Sequence, residues 1–275
     1  MQKKFLLSML SAATLLVAAF TVPQYSHSEQ QMQIEQNTGR TIQKIFDETR
    51  THGVIIIQDK EKILVYGNNL NRAETAYVPA STFKLLNALI GLENNKVTPT
   101  EIFKWDGQKK SLPAWEKDMT LGEGMKVSNV PLYQELARRI GLELMQNGVQ
   151  LANFGNTDIG NKVDDFWLVG PLTVTPIQEA NFAYRLAYKT LPFKPAVQDE
   201  VQKMAFIERR NGKKIYGKTG LGKDGDTQVG WLTGWVEQPN GDKIAFSLNM
   251  EIQPDLPYTI RNQVTYKVLE LLGIL

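Results

Sequence analysis

Three short motifs contain side chains that would support nucleophilic catalysis. Ser81 is followed three residues later by Lys84, residues 128–130 are Ser-Asn-Val, and residues 218–220 are Lys-Thr-Gly. A serine hydroxyl attacks a carbonyl carbon only when a nearby base takes its proton. Because the chain has no cysteine and only two histidines, the motifs favour lysine as that base.

The segment around Ser81 and Lys84 is predicted to begin a helix. Pro79 interrupts the preceding segment, and an apolar helical face that includes Leu85 and Leu89 follows directly. Ser81 then lies in the first turn, with Lys84 one turn later on the same face. Keeping that lysine neutral at pH 7 costs about 4 to 5 kcal/mol relative to a pKa near 10.4, and burial can shift the pKa that far. The alternative is a capping serine and a solvated lysine.

Ser128 is predicted to lie in a tight connection between two helices. Thr120 and Glu123 form a capping-box pattern that starts the first helix, and Pro131 suits the first turn of the second. From such a connection the Ser128 hydroxyl can reach a cleft and relay a proton. Capping of the second helix by the same hydroxyl is the alternative.

Lys218 is predicted to end a strand, with a glycine-rich run at 221–225 after it. A lysine that faces inward from a strand is costly to bury unless it binds an anion. Gly220 allows a substrate to approach the strand edge closely. A lysine on the solvent-facing side of the strand is the alternative.

The apolar patterning predicts an α+β fold, with a mixed or antiparallel sheet built from both chain ends and an inserted helical lobe. A single domain is expected from residue 29 to 275. Its sheet lobe would span about 29–76 and 204–275, and its helical lobe about 77–203. Clefts between such lobes commonly bind small molecules.

The strand predictions rest on β-rich runs separated by turn residues. Asn-Gly pairs at 211–212 and 240–241 predict hairpin turns. The predicted strands are 54–57, 63–66, 206–208, 214–219, 228–236 and 243–251, and helices are predicted at 41–49 and 264–272.

Composition excludes several kinds of function. The formal net charge of +2 is too small to indicate a nucleic acid or an anionic membrane as a partner. The absence of cysteine excludes disulfides, and a single histidine beyond the N-terminal segment leaves too few ligands for a structural zinc site. A Ser-His-Asp triad would need His52, which is predicted to lie in a surface turn.

The N-terminal segment is predicted to be a secretory signal. Lys3 and Lys4 precede an apolar run at 5–20, which is followed by a polar segment, and this order is typical of signal peptides. We expect a signal peptide of about residues 1–28, with cleavage after Ala19 or Ser28, and a periplasmic protein. A retained membrane anchor is the alternative.

The three motifs, in this order, resemble the signature set of penicillin-recognising serine enzymes. Beyond that set, the chain resembles the class D β-lactamases, or oxacillinases, and is similar to their carbapenem-hydrolysing branch. The resemblance covers nearly everything after the signal segment. It rests on residues 79–84, 128–130, 154–156, 167, 218–220 and 231–234, and on the surrounding segments 86–93, 115–122, 133–145 and 230–237.

The resemblance implies a role for each motif. Ser81 would be acylated by the β-lactam, and Lys84 would carry a carbamate formed from carbon dioxide and act as general base. The Trp167 indole N–H would hold the carbamate, although without the resemblance Trp167 would be taken for a core residue. Ser128 would pass a proton to the leaving nitrogen. The implied catalytic residues are therefore Ser81, Lys84, Ser128 and Trp167.

The resemblance also implies a substrate-binding set. Lys218 and Arg261 would hold the substrate carboxylate, and the backbone N–H groups of Ser81 and Leu221 would form an oxyanion hole. A surface arginine at the start of the last helix is the alternative for Arg261. The full implied set is Lys218, Thr219, Gly220, Leu221, Arg261, Val130, Trp115 and Leu168.

The implied activity is hydrolysis of penicillins, with carbapenems as a further substrate class, giving antibiotic resistance. No metal or cofactor is expected apart from the carbamate on Lys84. We expect a small β-lactam as substrate, no nucleic acid, no stable membrane partner, and a monomer or weak homodimer. The alternatives are an exported penicillin-binding peptidase and a non-catalytic β-lactam sensor domain.

Some positions depart from the pattern of the class. Phe154 stands where many members have tyrosine, so no hydroxyl role is assigned there. Leu112 and Lys223 replace an aromatic residue and a methionine that bridge the cleft in some carbapenem-hydrolysing relatives, and Leu221 replaces a common tryptophan. These differences predict a more open and more polar rim, which weakens the expectation of a carbapenem preference.

Overall fold

The structure, a computed structural model, describes residues 27–275. The predicted signal peptide, residues 1–28, therefore lies outside the described residues except for its last two positions. Thr38–Leu275 forms one compact unit. Within residues 27–275, no helix combines the length and the apolar character needed to cross a membrane.

Along the described chain, most helices stand together in the middle, and the strands of the main sheet lie before and after them. Short 3-10 helices cover Leu70–Ala73, Ala80–Phe83 and Pro113–Trp115. The α-helices are α1 His27–Glu48, α2 Lys84–Glu93, α3 Leu121–Lys126, α4 Val130–Ile140, α5 Leu142–Ala152, α6 Phe166–Val169, α7 Pro176–Ala187, α8 Pro195–Ala205 and α9 Ile260–Leu271. The strands are β1 Gly53–Gln58, β2 Ile63–Gly67, β3 Ile102–Phe103, β4 Met119–Thr120, β5 Phe206–Arg210, β6 Lys213–Asp224, β7 Thr227–Glu237 and β8 Lys243–Ile252.

The main sheet joins the two ends of the described chain. Its strand order is β2-β1-β8-β7-β6-β5, and every neighbouring pair is antiparallel. Strand β1 from the N-terminal part pairs with β8 from the C-terminal part, and helices α2 to α8 lie between them in sequence. The predicted α+β class, with a sheet from both chain ends and an inserted helical lobe, is confirmed.

Apolar side chains alternate between two cores on opposite sides of the sheet. In β7, Leu232 and Val236 pack in a cluster with α1 and α9, whereas Trp231 and Trp235 belong to the cluster formed with the helical segments. This alternation follows from the period of two residues in a strand. Because both faces are covered, β7 is buried along most of its length.

Two boundaries differ from prediction in ways that matter for the site. The strand predicted at 214–219 continues to Asp224, because β6 pairs with β7 as far as the contact between Asp224 and Thr227. Lys218 therefore lies within a strand, and its predicted position at a strand end is wrong. Helix α9 begins at Ile260, four residues before the predicted start, so Arg261 lies in its first turn.

The helical stretch predicted after Tyr77 is also interrupted. Strands β3 and β4 form a small two-stranded sheet within it. The turn at 211–212 is confirmed, since Asn211 and Gly212 both have the positive φ angles, 51° and 78°, that a tight hairpin turn of this type requires.

Candidate active site

Ser81 and Lys84 form a buried hydrogen-bonded pair. Ser81 lies in the 3-10 helix Ala80–Phe83, which runs directly into α2, so the predicted α-helical first turn is a 3-10 turn. Lys84 Nζ and Ser81 Oγ are 2.7 Å apart. The Lys84 side chain is 0 % exposed, and the alternative of a solvated lysine is therefore wrong. Burial lowers the pKa of Lys84 to about 7, because desolvation disfavours the charged ammonium.

Aromatic rings surround the start of α2. Phe83, the residue before Lys84, stacks on Trp167 with ring centroids 5.4 Å apart and meets Phe166 edge to face at 5.0 Å. The Tyr133 ring centroid is 5.5 Å from Lys84 Nζ. Trp167 is fully buried, yet its Nε1 has no hydrogen-bond partner. A buried N–H without a partner is uncommon in native proteins, so this donor lacks the acceptor that such a group normally has.

A second buried lysine lies on the neighbouring strand. Lys218 is 4 % exposed, which excludes the solvent-facing alternative. Its Nζ donates to the Thr219 carbonyl oxygen at 2.9 Å and to Thr219 Oγ1 at 3.3 Å. Burial, and secondarily the positive charges of Lys84 and Arg261, hold the pKa of Lys218 well below its usual value.

Arg261 adds a third cation to the same region. Its Nη1 donates to the Gly220 carbonyl oxygen at 2.9 Å, while its buried Nε has no partner. Burial lowers the pKa of Arg261 to about 10. The charges of Lys84 and Arg261 disfavour the ammonium form of Lys218, and no carboxylate is among the causes of the Lys84 or Lys218 pKa shifts. Such a region is a favourable position for an anion.

Strand β6 packs directly against the segment that carries Ser81. A Cβ at Gly220 would lie 3.0 Å from the Pro79 carbonyl oxygen, and one at Gly222 would lie 2.9 Å from a Val78 methyl group. Trp231 Nε1 donates to the Val78 carbonyl oxygen at 3.1 Å. Because glycine has no side chain, these two positions let the strand lie close to the segment that carries the serine.

Comparison with known proteins agrees with this arrangement. A family model described as the penicillin-binding protein transpeptidase domain matches residues 29–270. Beta-lactamase OXA-5 of Pseudomonas aeruginosa is 35% identical over 84% of this chain and 88% of its own length. Beta-lactamase OXA-48 of Klebsiella pneumoniae is 35% identical over 82% and 85%. The class D β-lactamase FUS-1 (OXA-85) of Fusobacterium nucleatum has a TM-score of 0.81 and 34% identity, covering 86% of this chain and 98% of its own.

The chain belongs to the class D β-lactamases.

In this class D β-lactamase, Ser128 lies in the predicted connection between α3 and α4. The capping box that starts α3 is confirmed, because Thr120 accepts from the Glu123 backbone and Glu123 accepts from the Thr120 backbone. Asn129 caps α4 by accepting from the Leu132 N–H at 3.0 Å. The capping alternative for Ser128 is therefore wrong, and the half-buried residue has a positive φ of 55°.

Three of the predicted binding residues of the β-lactamase line cavities. Lys218 and Thr219 line a cavity of about 420 Å³, a size suited to a small ligand. Trp115 lines a separate cavity of about 480 Å³ and donates to the Val127 carbonyl oxygen at 3.0 Å. Trp115 and Lys218 therefore line different cavities. Half-buried positions are occupied by Val130, Leu168 and Leu221.

Sequence reasoning missed a buried carboxyl group in this β-lactamase. Glu179 in α7 is fully buried, and its Oε1 is 2.5 Å from the Oγ1 of Thr82, the neighbour of Ser81. The available signal was an acidic residue at an apolar helical position, three and four residues before Phe182 and Ala183. His52, which a triad would require, is exposed.

The burial of Lys84 predicts a pH-dependent stability. Between pH 7 and 10.5 the folded protein holds Lys84 uncharged, whereas the unfolded chain holds it protonated. Because the unfolded state binds one more proton, the free energy of unfolding rises with pH in this window by up to about 1.4 kcal/mol per pH unit.

Lys84→Met should remove this contribution. We expect the free energy of unfolding of the wild type, minus that of the variant, to increase from pH 7 to pH 10, measured by urea titration in buffer free of carbon dioxide. Lys218 is present in both proteins, and its coupling to Lys84 is part of the measured difference because the charge of Lys84 lowers the pKa of Lys218. A difference that stays constant with pH would show that Lys84 is not buried in its neutral form.

Proposed function

We propose that this β-lactamase hydrolyses penicillins through an acyl-enzyme on Ser81. The hydrogen bond between Lys84 Nζ and Ser81 Oγ in a buried pocket carries this proposal. Ser81 Oγ attacks the β-lactam carbonyl carbon, the ring C–N bond breaks, and the nitrogen takes a proton relayed by Ser128. Water then cleaves the ester and regenerates the serine. Opening the ring inactivates the antibiotic and confers resistance.

The lysine is proposed to work in a carboxylated form. A neutral Lys84 Nζ can add to carbon dioxide and release one proton, which converts the side chain into an anionic base. Support comes from the pKa of about 7 and from the buried Trp167 Nε1 that lacks an acceptor. The Lys84 side chain would then accept the Ser81 proton during acylation and a water proton during deacylation.

The cations on the other side of the cleft are proposed to bind the substrate carboxylate. Lys218 supplies a point charge, and Arg261 supplies the unpartnered Nε and a forked donor geometry. The close approach of β6 to the Ser81 segment supports an oxyanion hole made by the backbone N–H groups of Ser81 and Leu221. Thr219 and Gly220 would border the substrate along the strand.

Penicillins are proposed as the main substrates, and carbapenems as a second class. Leu112, 47 % exposed, and Lys223, also exposed, lie at positions that bridge the cleft in some relatives. An open rim of this kind favours access over tight enclosure of a small substrate. Val130, Leu168 and Trp115 are proposed as further substrate contacts.

The enzyme is proposed to act in the periplasm as a monomer or weak homodimer. The basic start and apolar run of residues 1–28 support export by a signal peptide. The named relatives are β-lactamases, which favours a hydrolase over a peptidase or a sensor domain.

Hydrolysis of a chromogenic cephalosporin tests the role of Lys84. We expect the wild type to turn the substrate over, and faster when bicarbonate is restored to depleted buffer. In Lys84→Ala the turnover rate should fall about 10³-fold because the general base is gone. Lys60→Ala, at an exposed position, is the control. Unchanged turnover in Lys84→Ala would refute the mechanism, and stoichiometric labelling of wild-type Ser81 without turnover would favour a peptidase or sensor.

Trp167→Phe tests whether the indole N–H supports carboxylation. The variant keeps a ring against Phe83 but loses the donor, so we expect activity to fall about tenfold, as for one lost hydrogen bond, and to recover with excess bicarbonate. Trp235→Phe is a matched control, since its Nε1 is also buried without a partner but its ring stacks on Tyr216. Equal bicarbonate dependence in both variants would contradict the assignment.

Arg261→Ala tests binding of the carboxylate. Loss of a charge-assisted hydrogen bond is worth roughly 1.5–3 kcal/mol, so we expect KM for a penicillin to rise about 10- to 100-fold. Arg209→Ala, an exposed arginine of β5, should leave KM unchanged. An unaltered KM in Arg261→Ala would place the carboxylate elsewhere.

A further inference from the structure

A buried carboxyl group lies behind the segment that carries Ser81. Glu179 is 1 % exposed and belongs to α7, which packs on β1, β7 and β8. Its Oε1 contacts Thr82 Oγ1, the side chain next to the proposed nucleophile. None of the proposed catalytic steps uses this group.

The surroundings of Glu179 do not suit a negative charge. Among the described residues it forms no ion pair, and its Oε2 is buried without a hydrogen-bond partner. An ionised carboxylate has about four acceptor sites to satisfy, and burying it without a cation or a full set of donors is costly. Consistent with this, burial raises the pKa of Glu179 to about 7.

The two contacts of the Thr82 hydroxyl point to Glu179 as the donor in the contact between these two side chains. Thr82 Oγ1 lies 2.8 Å from the Pro79 carbonyl oxygen and 2.5 Å from Glu179 Oε1. A carbonyl oxygen can only accept, and a threonine hydroxyl has one proton to give. One Thr82 proton could serve both acceptors only as a weaker bifurcated bond. Two full hydrogen bonds at these distances require Thr82 to donate to Pro79 and Glu179 to donate to Thr82.

We propose that Glu179 is a neutral carboxylic acid that acts as a positioning residue for the nucleophile. By donating to Thr82 it directs the Thr82 hydroxyl onto the Pro79 carbonyl oxygen, and this chain of hydrogen bonds fixes the turn on which Ser81 faces Lys84. The inference rests on the proposed role of Ser81. It assigns Glu179 to the acylation step, in which the alignment of Ser81 Oγ matters, and not to substrate binding, which uses β6 and α9.

Two substitutions of similar size separate donation from packing. Glu179→Gln keeps a neutral side chain with an N–H donor for Thr82, whereas Glu179→Met fills the same space without a donor. We expect the acylation rate constant, from single-turnover measurements with a penicillin, to stay within about twofold of wild type in Glu179→Gln. In Glu179→Met the acylation rate constant should fall about tenfold, as for one lost hydrogen bond, while the dissociation constant of the penicillin stays unchanged.

An infrared difference spectrum provides a readout that packing does not affect. Wild type minus Glu179→Gln should show the C=O stretch of a protonated carboxylic acid, shifted in deuterated water, because other buried acids cancel. This measurement does not require Glu179→Met to fold. Thr82→Val and Thr82→Ser form a second pair, in which only the valine variant should slow acylation.

The proposal is overturned if the infrared band is absent at pH 6, or if Glu179→Gln acylates as slowly as Glu179→Met. It is also overturned if Glu179→Met acylates at the wild-type rate. These outcomes are distinct from failure of the proposed function, which would appear as retained hydrolysis in Ser81→Ala. An inactive Ser81→Ala together with indifferent Glu179 variants would leave the hydrolase intact and reject only the role of Glu179.

Discussion

The proposed chemistry of this protein depends on keeping water away from one amine. The amine of Lys84 can accept a proton or add carbon dioxide only while it is uncharged, and its pKa of about 7 results from desolvation alone. Desolvation in turn requires the rings of Phe83, Trp167 and Tyr133 to enclose the start of α2. The aromatic core of the helical lobe therefore helps to set the protonation state of the lysine.

The site combines a lysine whose amine is proposed to be neutral before carboxylation with two cations that are proposed to bind a carboxylate. The positive charges of Lys84 and Arg261 contribute to the lowered pKa of Lys218. An anionic substrate would reduce the repulsion among these groups when it binds. Part of the electrostatic energy that destabilises the free site would then favour the complex.

The sequence was sufficient to predict the α+β class, most strands and the motif residues, because apolar periodicity and the Asn-Gly turns are local signals. It misplaced the end of β6, since glycines at 220, 222 and 225 resemble a turn. In the structure, Gly220 and Gly222 permit close packing against Val78 and Pro79. Glu179 escaped notice because its partner, Thr82, is brought near only by tertiary packing of α7 against the sheet.

The pairing of β1 with β8 has a consequence for the order of events during synthesis. Gly53 lies opposite Met250 and Gln58 opposite Ala245, so the central sheet closes only after nearly all of the polypeptide has left the ribosome. Contacts between such distant segments form late and slowly. An emerging chain would therefore remain open and inactive for most of its elongation, a condition compatible with threading through a translocation pore before folding.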